Sequence, residues 1–105
     1  MSDDSSSFPE VNRLVHEPAR LAILTVLSAC ESADFLFLQN ATGLSKGNLS
    51  VQISRLEEAR LVYVEKTIRR KRTLTRISLN RRGRGEIAQY WRTMEKIRQQ
   101  AVPAT

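Results

Sequence analysis

The side chains with the most chemistry to offer fall in two short runs. The first comprises Ser45, Lys46, Gly47, Asn48, Ser50, Val51, Gln52 and Arg55, within SKGNLSVQISRLEEARL. A carboxamide can pair bidentately with adenine, and arginine or lysine with guanine. A serine hydroxyl can meet a phosphate or a base edge, and a valine a thymine methyl group. Gly47 would let a partner come close at a helix start, where anions are already favoured. A polar face that simply meets solvent is the plain alternative. The second run is Arg69, Arg70, Lys71 and Arg72, with Arg76 beyond it on the same strand face. Adjacent like charges repel and add nothing to packing, whereas a polyanion relieves the repulsion; each phosphate neutralised adds about 0.9 to the salt dependence of binding. Such a charged edge also discourages strand-to-strand aggregation, although fewer cations would do that job.

Enzyme chemistry has little to work with. The chain has one histidine, His16, and one cysteine, Cys30. A zinc site takes about four ligands, and a nucleophile needs a neighbouring base. Neither a metal nor a cofactor is expected. His16, before Glu17 and Pro18, suits packing or capping, and Cys30 reads as a small core residue at a helix end. Glu57 and Glu58 are ordinary solvated helix residues. No phosphate-cradling glycine loop is recognisable.

Charge points the same way as the two runs. The chain has 105 residues and a net charge of +6. Residues 1–65 hold five basic and nine acidic side chains, and residues 66–105 hold twelve and two. One end is thus a concentrated cation, suited to nucleic acid first and to an anionic membrane second. No stretch approaches the roughly 20 apolar residues of a membrane helix. The acidic start MSDDSSSFPE is unlike a secretory signal, so a cytoplasmic, nucleoid-associated protein is expected. With 41% hydrophobic residues the chain can fold, and its length suits one domain. The expected organisation is a flexible tail over 1–8, a domain over 9–100 and a frayed end over 101–105.

The elements that must position these residues are legible from periodicity and caps. Val11, Leu14 and Val15 suggest a short helix over Pro9–Val15. Pro18 suits the first turn of a core helix through HEPARLAILTVLSACES. Asp34 can cap FLFLQNAT, with Gly43 as its stop. Ser45 can cap the next helix, where Leu49, Ile53 and Leu56 make one apolar stripe and turn the polar run outward. LVYVEKT and TLTRISL read as two strands around the tip IRRKR. Asn80 can cap a last helix over about Arg81–Gln100. The expected fold is mostly α with a small β-hairpin, a winged helix-turn-helix with extra N- and C-terminal helices.

In this arrangement the sequence resembles the small winged helix-turn-helix transcriptional regulators of prokaryotes, the MarR/ArsR-like group. The resemblance rests on HEPARLAIL, on FLFLQNATGLSKGNLSVQISRLEEARLV and on TRISLNRRGRGEIAQY, and it spans roughly residues 11–97. It implies that the helix over about 45–60 enters the major groove of double-stranded DNA. It implies that the hairpin over 68–73 meets the backbone or minor groove, and that terminal helices build a homodimer. Two departures stand out. Arg60 occupies the place where relatives commonly have glycine in Glu-Ala-Gly-Leu-Val. Arg81 and Arg82 open the last helix, where relatives often have acids.

Val11, Leu14, Val15, Tyr90, Trp91, Met94 and Ile97 offer more apolar surface than so small a core needs, and are the expected dimer interface. Phe37 falls outside the core stripe of its helix. The residues identify no small-molecule effector. A non-specific DNA- or RNA-binding architectural protein, or a winged-helix protein-interaction module, would share the fold; Asn48 and Gln52 favour the specific reading.

Overall fold

Glu17 stands before a proline, which keeps it out of the helical region. Its backbone is extended, and its carboxylate accepts from the Arg20 N–H at 2.8 Å. Helix α1, Pro18–Ser28, starts from that cap in a computed structural model that describes residues 10–101. The expected tail over 1–8 and residues 102–105 lie outside the described residues. Strand β1, Ala33–Asp34, leads directly into α2, Phe35–Thr42, where the Asp34 carboxylate accepts from the Phe37 N–H at 2.7 Å. Helix α3 spans Lys46–Glu58, and the hairpin strands are β2, Val62–Arg69, and β3, Arg72–Leu79. Helix α4, Arg81–Ala101, is the last element of the described residues.

The sheet is antiparallel with order β1-β3-β2. Val62 stands opposite Leu79, and the register runs unbroken to Arg69 opposite Arg72. Two residues of β1 pair with Ile77 and Arg76 of β3. A strand that short carries no period, so the sequence did not announce it.

Fully buried side chains from every layer meet in one core: Ile23, Leu24 and Leu27 of α1, Leu38 of α2, Leu49 and Leu56 of α3, and Ile77 of β3. The spacing of Leu49, Ile53 and Leu56 puts them on one side of α3, as its periodicity requires.

The segment before α1 differs from expectation. No helix forms over the described part of Pro9–Val15; residues 13–15 are a turn. Asn12 holds it, its carbonyl accepting from the His16 N–H at 2.8 Å and its side-chain oxygen from the Leu14 N–H at 2.9 Å. A local side-chain bond of this kind competes with helix formation. The turn drives Val15 into the core, where it is fully buried. Tyr90 is buried too, and its hydroxyl bonds His16 Nδ1 at 2.8 Å. Val15 and Tyr90 are therefore core residues of their own domain and not the dimer surface expected of them. Val11, Leu14 and Met94 pack partly against the same core. Among the described residues no helix is long and apolar enough to cross a membrane.

Candidate nucleic-acid interface

The turn between α2 and α3 is short because Gly43 adopts φ +74°, which glycine reaches without strain. Ser45 then caps α3, its Oγ accepting from the Asn48 N–H at 3.1 Å. With Leu49, Ile53 and Leu56 buried, Lys46, Gly47, Asn48, Ser50, Val51 and Arg55 all face solvent. Nothing lies within 4 Å of where a Gly47 side chain would begin. The fold itself does not require glycine there. Gln52 differs from its neighbours, being half-buried and bonded on both ends of its amide. Its Oε1 accepts from Arg20 Nη1 at 2.9 Å, and its Nε2 donates to Asn48 Oδ1 at 3.1 Å. Arg20 went unnoticed in the sequence. The signal was available: it is the one charged residue in the apolar helix PARLAILTVLS.

At the hairpin, the five-residue tip contracts to two. Arg69 and Arg72 close the strands, and Arg70 and Lys71 form the turn with φ of +52° and +63°. Two successive left-handed residues match the twist of paired strands, and Asn-Gly is the preferred occupant. Cations hold both places instead. All four are exposed, and among the described residues none takes part in an ion pair. Ile68 beside them is 79% exposed.

The structure brings α3 and the hairpin together. Lys46 and Ser50 line one groove with Thr73 and Leu74 of β3. Arg76 stands apart from the tip. It sits in register with Glu65 on one side and Asp34 on the other, and its Nη1 donates to Ser32 Oγ at 3.4 Å. Two carboxylates thus flank it within the sheet. Among the described residues, no group of three His, Cys, Asp or Glu side chains is placed to hold a metal.

Of the remaining candidates on the last helix, Trp91 is 48% exposed and stacks edge-on against Tyr90 with ring centroids 5.1 Å apart. Met94 and Ile97 are half-buried.

A family model of the winged helix DNA-binding domain matches residues 19–98. The chain belongs to that family. As a winged-helix DNA-binding domain it stands with transcriptional regulators and not with enzymes. An uncharacterised protein of Methanocaldococcus jannaschii is 28% identical over 78 residues, covering 74% of this chain and 85% of that one. A transcriptional regulator homologue from Pyrococcus horikoshii superimposes with a TM-score of 0.78 at 26% identity, covering 84% of this chain and 87% of the other. A MarR-family regulator from Silicibacter pomeroyi shares the fold, with a TM-score of 0.65 at 20% identity over 95% of this winged-helix chain and 65% of its own.

Proposed function

We propose that this winged-helix protein is a sequence-specific transcriptional regulator that binds double-stranded DNA as a homodimer. Helix α3 lies in the major groove, with Lys46, Asn48, Ser50, Gln52 and Arg55 toward base edges and phosphates. The β2–β3 hairpin reaches the flanking backbone or minor groove through Arg69, Arg70, Lys71 and Arg72. Arg76 is the weakest contact, since Glu65 and Asp34 flank it. The single observation that carries this reading is the hairpin turn. Arg70 and Lys71 hold left-handed positions that suit Asn and Gly. Strained cations with no acidic partner among the described residues gain nothing for the fold, and a phosphate backbone gives them a purpose.

The dimer rests on Trp91, Met94 and Ile97 of α4, with Val11 and Leu14 of the N-terminal segment beside them. Two-fold symmetry would set two α3 helices one DNA turn apart. Such a protein works beside the chromosome, in the cytoplasm.

Selection from a random duplex pool at about 0.15 M salt, followed by sequencing of the retained DNA, tests the reading. The expected product is an inverted repeat with half-sites about 10 base pairs apart or a multiple of that. Retention without enrichment would make the protein a charge-driven, non-specific binder. No retention at all would point to a protein partner.

A further inference from the structure

The bonds around Gln52 determine which way its amide faces, and through it the polarity of the whole recognition face. Arg20 is the origin. Its side chain is only 13% exposed, held by an Nε bond to the Leu14 carbonyl at 2.7 Å. From there Nη1 donates to Gln52 at 2.9 Å. A guanidinium has N–H donors and no acceptor. The end of the Gln52 amide that faces it must therefore be oxygen. The NH2 end is turned along α3, where it meets Asn48 at 3.1 Å. An NH2 group needs an oxygen opposite it, so Asn48 presents Oδ1 inward. Asn48 Nδ2 then has no partner among the described residues and is left toward solvent. One donor at Arg20 has oriented two amides.

The consequence concerns which base edge can be read. Bidentate pairing of a carboxamide with adenine uses its oxygen for N6–H and its NH2 for N7. Here both oxygens are engaged within the protein, Gln52 Nε2 is bonded to Asn48, and the group left outward is the N–H of Asn48. Guanine offers two acceptors in the major groove, N7 and O6; thymine offers O4, and cytosine only a donor. Resting on the DNA-reading role proposed above, we infer that Arg20 is a positioning residue for sequence specificity: through Gln52 it makes Asn48 a donor, so that the base Asn48 meets is guanine, or thymine in second place. Arg20 itself touches no DNA in this arrangement.

The test is base preference, which a merely structural residue would not move. Duplex selection is run on the full chain and on four variants, each with a thermal melt. Asn48→Ala identifies the base position concerned as the one whose preference it relaxes. In the wild type that position carries guanine or thymine. Arg20→Lys keeps a donor-only group there and keeps the preference. Arg20→Met frees both amides, and adenine at that position gains about tenfold relative to wild type. The salt dependence stays unchanged, because Arg20 meets no phosphate. Should Arg20→Met fold poorly, Gln52→Glu decides the matter. A carboxylate still accepts from Arg20 but turns an oxygen toward Asn48, whose amide must reverse; the preference moves to adenine or cytosine, which carry donors. The inference is overturned if the wild-type position carries adenine, or if Arg20→Met and Gln52→Glu both leave the preference as it was. A wild type with no preferred position anywhere refutes sequence-specific binding itself, a distinguishable failure that takes this inference with it.

Discussion

The backbone carbonyl of Leu61 lies directly against the Cα of Gly83, so that a side chain at 83 would overlap the oxygen. This contact seats the first turn of α4 on the start of the hairpin. Asn80 reinforces it: its backbone N–H donates to Leu61 O at 3.1 Å, its Nδ2 to Arg60 O at 2.8 Å, and its Oδ1 caps Gly83 N–H at 2.7 Å. Alanine is the better helix former by about 1 kcal/mol, yet a clash with backbone cannot be relieved by a rotamer change. Gly83→Ala is expected to destabilise the domain by about 2–3 kcal/mol, read from the midpoint of urea unfolding. An unchanged midpoint would mean that α4 shifts away from Leu61 without cost.

Arg60 makes the opposite prediction. It ends α3 at φ +63°, with the Leu61 N–H bonded to Leu56 O at 3.0 Å and the Arg60 N–H to Glu57 O at 2.9 Å. This is the six-to-one and five-to-two pairing of a Schellman cap, where glycine is preferred. Left-handed geometry costs a side-chain-bearing residue about 1–2 kcal/mol. Glycine returns about 0.4–1 kcal/mol through its freer unfolded state. Arg60→Gly should therefore stabilise the fold by about 0.5–1 kcal/mol, with a matching rise in thermal midpoint. A loss of stability would show that the arginine side chain holds more than its backbone costs.

The caps were the most legible part of the sequence. Asp34, Gly43, Ser45 and Asn80 each act at the terminus where their side-chain or backbone chemistry suits them. The departure at Arg60 from the glycine of related motifs also corresponds to a left-handed residue. The segment before α1 misled because Val11, Leu14 and Val15 have helical spacing, while one Asn12 side chain is enough to close a turn instead. Burial of Val15 and Tyr90 was hidden for a related reason. Apolar spacing marks a face as buried but does not say whether its own domain or a second copy covers it. Gly83 gave no pattern, and the lone charge of Arg20 in an apolar helix did not say what it meets, since each acts through a contact with a residue distant in sequence, Leu61 and Gln52 respectively.

The hairpin tip separates folding from binding in one double substitution. Replacing Arg70 and Lys71 with Asn and Gly puts the preferred residues at φ +52° and +63°. The variant should gain about 1 kcal/mol of stability. It should lose affinity for every duplex alike, and the slope of log affinity against log salt should flatten by about 1.8 if both cations meet phosphate. Site preference should survive, since phosphate contacts carry little sequence information. Stability and affinity moving in the same direction would remove the case for the tip as a phosphate contact.

Trp91 tests the dimer. Its ring is half exposed on α4, while its neighbour Tyr90 is fixed in the core by the bond to His16. Removing Trp91 should thus leave the domain folded. If the ring anchors a second copy, Trp91→Ala should weaken self-association by about 2 kcal/mol, the usual threshold for an interface anchor, or roughly 30-fold. Sedimentation equilibrium on wild type and variant reads this directly. Binding to an inverted repeat should fall with it, while binding to a single half-site stays as it was, because α3 and the hairpin are untouched. A wild-type chain that sediments as a monomer even at the highest concentration would rule out the homodimer. The same half-site contacts would then have to act singly.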